Sequence, residues 1–411
     1  MKRAPPGESW SPDAKQRIAA QLAKMAESPL FSNAPLLVAF LRHVVEAELS
    51  GRTRSLGQAE IAHDVLGKGP EFDPAVDSAV RVEAGRLRAR LREYYATEGR
   101  DDPVRLTLPK GRYSALIELG EYGGQSVVAD EPGSQDIRFL NSHDGISIAY
   151  SVAGTGPPLV KAANWLSHLE YDYQSPVWRH WWRDLSKRYT LVRYDERGCG
   201  LSDWDVEDFS LEAWVRDLEA VTAKIEHERF ALLGISQGAA VAIRYALRHP
   251  ERVTHLVLYG GFARGRLKRN PTPAQVEEAR MLEKLVSVGW GQENPVFRKV
   301  FASLFIPGGS PEQHESFDSL QRYSTSARNA ERFMTTFNEI DVLNEAAGIS
   351  IPTLVMHARD ELEIPLTEAK ALAKTIPDAK LVLLDSDRHI IGENEPAWQA
   401  FLRELDRFLA G

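Results

Sequence analysis

The 411 residues contain one cysteine, Cys199, so no intrachain disulfide can form, which fits a reducing compartment. No stretch is apolar enough to span a bilayer. The opening Met1-Lys2-Arg3-Ala4-Pro5-Pro6 lacks a following apolar run, so no signal peptide is expected and the expected location is the cytoplasm, without membrane contact. Internal repeats and low-complexity tracts are absent. There is no overall excess of positive charge either: the net charge of -8 excludes a protein coated in cations for nucleic acid.

What is present is an ordinary globular balance, 43% hydrophobic and 26% charged residues, which argues against global disorder. The length exceeds what one compact domain usually needs. Charge divides unevenly. Residues 1–120 hold 18 Lys and Arg against 16 Asp and Glu, a surplus of +2 that leaves -10 for the remainder. The first part is therefore a candidate for a different partner.

Residues 1–13 are polar and expected to fray. Helical periodicity runs from Ala14 to about Ala26, and a second helix follows Ser32-Asn33, which can cap it; Leu36, Leu37, Phe40, Leu41, Val44 and Val45 recur at helical spacing. A short helix is predicted from Gln58 to Leu66. Asp73-Pro74 and Asp77-Ser78 introduce a long one ending near Ala96, with Val76, Val80, Leu87, Leu91 and Tyr94 on one side. Two extended runs, Val104 to Leu108 and Tyr113 to Ile117, flank the turn Pro109-Lys110-Gly111-Arg112. Three helices followed by a hairpin are the order of a winged helix, so a small α+β winged-helix-like domain is expected over 1–120. The Gly- and Ser-containing stretch 121–136 reads as a linker.

From Ile137 the pattern alternates short apolar strands with helices: Ile146–Val152, Pro158–Ala162, Thr190–Tyr194, Phe230–Gly234, His255–Tyr259, Thr353–His357 and Lys380–Leu384. Such alternation predicts an α/β fold, a mostly parallel sheet with helices on both faces, over 137–411. Residues 265–345 interrupt it with amphipathic helical stretches and read as an inserted helical cap.

Gly234-Ile235-Ser236-Gln237-Gly238 matches G-x-S-x-G, between a buried strand and the helix from Ala239 to Leu247. That is the setting of a nucleophile elbow, where glycines permit a tight turn that lifts the serine oxygen above the sheet edge. His389, in Asp385-Ser386-Asp387-Arg388-His389 after the last strand, is the leading base. The acid belongs in the loop Ala358-Arg359-Asp360-Glu361-Leu362-Glu363-Ile364-Pro365.

With these motifs the chain, over about residues 137–410, resembles the α/β-hydrolase superfamily, in which this loop often reads H-G-x-x-D-x-x-x-P. Counting forward from His357 or back from Pro365 puts Glu361 at the acid position, with Asp360 as the alternative one residue away. Tyr194-Asp195-Glu196-Arg197-Gly198-Cys199-Gly200-Leu201-Ser202 resembles the family's D-x-R-G-x-G-x-S segment, whose role is mainly structural, and Cys199 within it is expected to be a packed thiol. The resemblance implies an oxyanion hole from the amide of Gln237 and from a residue after the third strand. There Ala162-Ala163-Asn164-Trp165 lacks the usual His-Gly, and Trp165 is the candidate donor.

The implied activity is a serine carboxylesterase acting through an acyl-enzyme on a small apolar ester, lactone or amide, with no metal or organic cofactor. A serine at the elbow argues against epoxide-hydrolase or dehalogenase chemistry, which uses Asp there. Trp165, Tyr171, Tyr173, Trp178, Trp181 and Trp182 either line an apolar pocket or pack beneath the cap.

Arg81, Arg86, Arg88, Arg90 and Arg92 lie on the long N-terminal helix, and Lys110 and Arg112 at the hairpin turn. The segment from Phe72-Asp73-Pro74 to Tyr113 resembles a winged-helix-like module of bacterial proteins fused to varied C-terminal domains. The resemblance implies DNA binding through these cations, a homodimer, and a regulator whose hydrolase-fold domain senses a ligand. The other reading of the arginines is a solvated face or a dimer interface.

Overall fold

The computed structural model describes residues 10–52, 56–73, 77, 79–100, 102–109, 113–119, 135–290 and 296–411. The chain divides into two compact units, residues 1–131 with 137–139, and residues 132–136 with 140–411. Among the described residues no helix is long and apolar enough to cross a membrane.

Among its described residues the first unit has four helices, α1 (Pro12–Glu27), α2 (Pro35–Leu49), α3 (Gln58–Asp64) and α4 (Ala79–Ala96), then an antiparallel pair, β1 (Val104–Thr107) and β2 (Leu116–Leu119). The Ser11 hydroxyl accepts the Ala14 N–H and starts α1. Ser32-Asn33 does not cap α2, contrary to the sequence expectation. Its cap is Ala34, with no side-chain acceptor, and Pro35 opens the first turn, where its fixed φ suits a helix and its missing N–H costs nothing. Ile18, Phe40, Val44, Leu87, Tyr94 and Leu106 share one apolar core. Buried Asp102 holds α1 and α4 together: it accepts from the Tyr94 hydroxyl at 2.7 Å, from the Gln21 amide at 2.5 Å and from Lys24.

The arginines of α4 are not a solvated row. Arg86 is buried and pairs with Glu83 at 3.1 Å. Arg90 is buried, donates to the Leu30 carbonyl and stacks 4.3 Å over the Phe139 ring. Arg88 Nε donates to the Leu108 carbonyl at 2.9 Å, clamping the start of the hairpin turn, and Arg81 donates to Gln58 at 3.2 Å. Arg92 is exposed. The sequence shows the charges but not which of them the unit's own carbonyls and acids will claim. Val76, Lys110, Arg112 and the expected linker, apart from Gln135 and Asp136, lie outside the described residues.

The second unit is layered α/β. In chain order its elements are β3 (Asp136–Asn141), whose residues 137–139 group with the first unit, β4 (Ser147–Ala153), β5 (Pro158–Ala162), α5 (Leu169–Asp172), α6 (Arg179–Ser186), β6 (Thr190–Tyr194), α7 (Leu211–Thr222), β7 (Phe230–Ile235), α8 (Gly238–Arg248), β8 (Val253–Tyr259), α9 (Pro273–Gly289), α10 (Val296–Phe305), α11 (Pro311–Ser324), α12 (Ala327–Glu339), α13 (Leu343–Ala346), β9 (Thr353–Ala358), α14 (Leu366–Thr375), β10 (Lys380–Leu384) and α15 (Pro396–Leu409). The strand order is β10-β9-β8-β7-β5-β6-β4-β3. Pairing is parallel from β10 to β6, and β4 runs antiparallel to β6. β7 is buried along its whole length, as a strand covered on both faces must be.

The order reverses at β5, which lies between β6 and β7. The loops leaving β5 and β7 therefore diverge at the carboxyl end of the sheet, where open α/β sheets leave a crevice. Helices α9 to α13 fall between β8 and β9 and form the inserted segment.

The turn after β6 is held by charge. Arg197, fully buried, donates to both Asp217 oxygens at 2.7 Å and to Asp144 at 2.7 Å. Asp195 accepts the Leu201 N–H at 2.8 Å and the Leu169 N–H at 3.0 Å, fixing the turn to α5. Cys199 is buried within it, and burial raises its thiol pKa well above the ordinary value. Replacing Asp217 by Ala removes its buried carboxylate and leaves the fully buried Arg197 with only the half-exposed Asp144 and the Asp208 carbonyl. We expect a loss of about 3–5 kcal/mol, read as a lower denaturant midpoint at unchanged slope.

Candidate active site

Ser236 follows β7 with φ of 53°, a left-handed conformation that is strained for a non-glycine residue. Its surroundings enforce the turn. A Cβ on Gly234 would stand 2.7 Å from Ala239 Cα, and one on Gly238 would stand 2.7 Å from the Ala163 carbonyl. The two glycines thus let α8 start against β7 and pass under the loop after β5. The Ser236 N–H donates to the Tyr259 carbonyl at 3.1 Å, tying the turn to β8.

His389 is buried in the loop after β10, and its Nδ1 donates to Glu361 in the loop after β9. The structure thus brings Glu361 to His389, whereas Asp360 is exposed. The other Glu361 oxygen lies 3.2 Å from His357 Nε2. Burial by itself pulls the His389 pKa down. The charge and hydrogen bond of Glu361 outweigh it, and the net direction is above the ordinary 6.5. At His357 burial wins and the direction is downward. The Tyr259 hydroxyl donates to the His389 carbonyl at 2.9 Å, and the Phe305 ring of α10 meets the imidazole edge-to-face at 5.2 Å.

Ser236 Oγ and His389 are not hydrogen-bonded to each other, and the buried His389 Nε2 has no hydrogen-bond partner among the described residues. They are nevertheless neighbours through β8. Gly260, next to the residue that accepts the Ser236 N–H, would carry a Cβ 3.1 Å from His389 Cε1. Ser236 and Gln237 line a cavity of about 580 Å³, its open mouth included, and His389 lines a second of about 300 Å³. Trp165 and Phe305 line both.

The Trp165 N–H is occupied. It donates to Gln237 Oε1 at 3.1 Å, and Gln237 Nε2 donates at 2.6 Å to buried Glu196, whose pKa burial raises to about 8. The backbone of Trp165 and the side chain after the serine therefore satisfy each other here. Neither this bond nor Glu196 was foreseen from sequence, because residues 165, 196 and 237 meet only through the crossover at β5.

The aromatic group divides. Trp165 lines both cavities, and Trp178 lines the second. Trp181 and Trp182 are packing residues, Trp181 against Trp398 at 4.6 Å and Trp182 stacked on Trp178 at 5.3 Å. The Tyr171 hydroxyl donates to the Ser316 carbonyl of α11 at 3.0 Å, and Tyr173 lies 5.5 Å beneath the Arg193 guanidinium. Also unforeseen were two cavity-lining arginines, Arg266 and Arg269, which lie in the polar run after β8.

Among the described residues, one group has three metal-ligand types within 4.8 Å of one another: His43, Glu60 and Asp64 of the first unit. Asp64 pairs with His63 at 2.8 Å and Glu60 with Arg52 at 3.4 Å, so both carboxylates already have partners.

Comparison with known proteins agrees with this architecture. The chain is 26% identical over 254 residues to the AB hydrolase superfamily protein YisY of Bacillus subtilis, covering 91% of that protein and 61% of this one. Among solved structures, an esterase from Exiguobacterium antarcticum superposes with a TM-score of 0.56 at 22% identity, covering 66% of this chain and 99% of that one. An enol-lactonase from Burkholderia xenovorans LB400 does so with a TM-score of 0.55 at 20% identity, covering 67% and 100%. The family profile described as alpha/beta hydrolase fold matches residues 172–396, more than half of the chain, and the protein belongs to that family.

Proposed function

We propose that the second unit is a serine hydrolase of small carboxylic esters, lactones or amides. The observation that carries this reading is a buried Glu361–His389 pair next to a cavity wall that presents Ser236 on a strained turn. A left-handed serine is maintained against its conformational cost only where the surrounding structure demands it, and the surroundings here are a cavity.

On this reading Glu361 orients the imidazole and stabilises its charged form. His389 Nε2, free of other bonds, takes the Ser236 proton as Oγ attacks the carbonyl carbon. The C–O or C–N bond then breaks, and the leaving group departs with the proton from His389. Water, deprotonated by the same imidazole, releases the acid and restores the serine. The Gln237 and Trp165 amides are the proposed oxyanion donors, and the Gln237 side chain must yield the Trp165 N–H when charge develops on the substrate oxygen. The 2.6 Å bond to Glu196 gives that side chain a place to remain.

Hydrolysis of p-nitrophenyl acetate should fall by at least about 10³-fold in Ser236→Ala, with the fold unchanged by circular dichroism. Activity that survives would refute the nucleophile. His389 must be neutral to accept the proton, and its pKa is raised. Activity should therefore be lost as pH falls through a midpoint above 6.5. Glu361→Gln removes the carboxylate and leaves burial dominant. We expect a large loss in kcat and a midpoint moved to lower pH.

The order of the first unit, helices followed by an antiparallel pair, supports a second, compatible reading: a winged-helix-like module that binds DNA, on a chain that can dimerise. The contacts would then come chiefly from residues other than Arg86, Arg88 and Arg90, which the unit engages internally. Duplex binding by the full chain should weaken steeply with added salt, as phosphate contacts require. No binding at low salt would remove this reading.

A further inference from the structure

The cavity presenting Ser236 is largely apolar, with Trp165, Phe262, Phe301 and Phe337 on its wall, yet Arg266 and Arg269 line it too. Both follow β8, next to Arg264, and the three guanidinium groups face two carboxylates. Glu368, buried in α14, is taken by Arg264, whose Nη2 donates to Oε1 at 2.8 Å and whose N–H donates to Oε2 at 3.2 Å. Glu363 accepts from Arg266 Nη2 at 2.8 Å.

Arg269 has no carboxylate of its own. Its Nε donates to the Arg264 carbonyl at 2.7 Å and stands 3.9 Å from the already engaged Glu368 Oε1. Among the described residues, its Nη1 and Nη2 have no hydrogen-bond partner. The side chain is 16% exposed, and its guanidinium lies 5.4 Å over the Phe262 ring. Burial pulls its pKa down to about 10, so it remains charged at neutral pH. Three cations against two anions leave one positive charge largely out of water beside an apolar cavity. Such a charge is costly until an anion meets it.

We propose that Arg269 binds a carboxylate carried by the substrate, which makes the substrates short half-esters of dicarboxylic acids, or the matching amides and lactones. This rests on the hydrolase reading above. Two donors of a planar guanidinium match the two oxygens of a carboxylate. One uncompensated charge balances a monoanion, whereas a phosphate dianion would leave a negative excess beside Glu363. The aromatic wall would cover the carbon chain between the carboxylate and the scissile bond.

The test compares monomethyl glutarate with dimethyl glutarate for binding to the Ser236→Ala chain by calorimetry, so that no turnover intervenes. We expect the monoanion to bind at least about tenfold more tightly. Arg269→Met should abolish the difference, and Arg269→Lys should keep part of it. Equal affinities, no binding of either ester, or a preference that survives Arg269→Met would overturn the proposal. If Arg269→Met does not fold, Arg269→Lys decides, since an undiminished preference there would refute the bidentate role. Turnover of neutral p-nitrophenyl acetate by the unmodified chain, lost in Ser236→Ala, tests the hydrolase reading separately. Its outcome does not depend on Arg269.

Discussion

The close approach of β7, α8 and the loop after β5 governs the second unit. A serine held at φ 53° is possible because two glycines beside it leave no Cβ to collide with Ala239 or Ala163. Were either crossing looser, the turn could relax to a right-handed conformation and the hydroxyl would leave the cavity wall. The hydrogen bond from Ser236 to Tyr259, and the space at Gly260 where a Cβ would stand 3.1 Å from His389 Cε1, carry the same constraint into β8 and the loop that holds the imidazole.

Buried charge does the remaining positioning. Arg197 with Asp217 and Asp144, and Asp195 with two backbone amides, fix the turn after β6. Glu196 from that turn reaches Gln237 beside the serine, and through Gln237 the Trp165 amide. Lys161, Arg193 and Asp172 lie buried beneath it. Desolvation lowers the Lys161 pKa to about 8 and raises that of Asp172 to about 7. Such groups give little net stability, since desolvation offsets their attraction.

The inserted helices put chemistry over this frame. Phe305 of α10 touches His389 and lines both cavities, and Phe337 of α12 faces the cavity of Ser236. The short turn before them supplies Arg266 and Arg269. A cap drawn from a different stretch of chain than the serine, acid and histidine can change what is bound without disturbing the strands beneath it.

The sequence alone shows the alternation of strands and helices from Ile146 onward, because apolar spacing along a strand or a helix is a local property. It also determined the glycines around Ser236 and the candidate residues at 361 and 389, because a strand end followed by a turn is local too. It missed the edge strand β3, whose burial alternates weakly, and it took the charges of α4 for a surface row. Tertiary structure alone decided that Glu361 rather than Asp360 meets His389, that Arg86, Arg88 and Arg90 are spent inside their own unit, and that Gln237 occupies the Trp165 amide. These are pairings between residues distant in the chain. Which acceptor a buried donor takes depends on the strand order and the crossover that bring them together, and no local spacing encodes that.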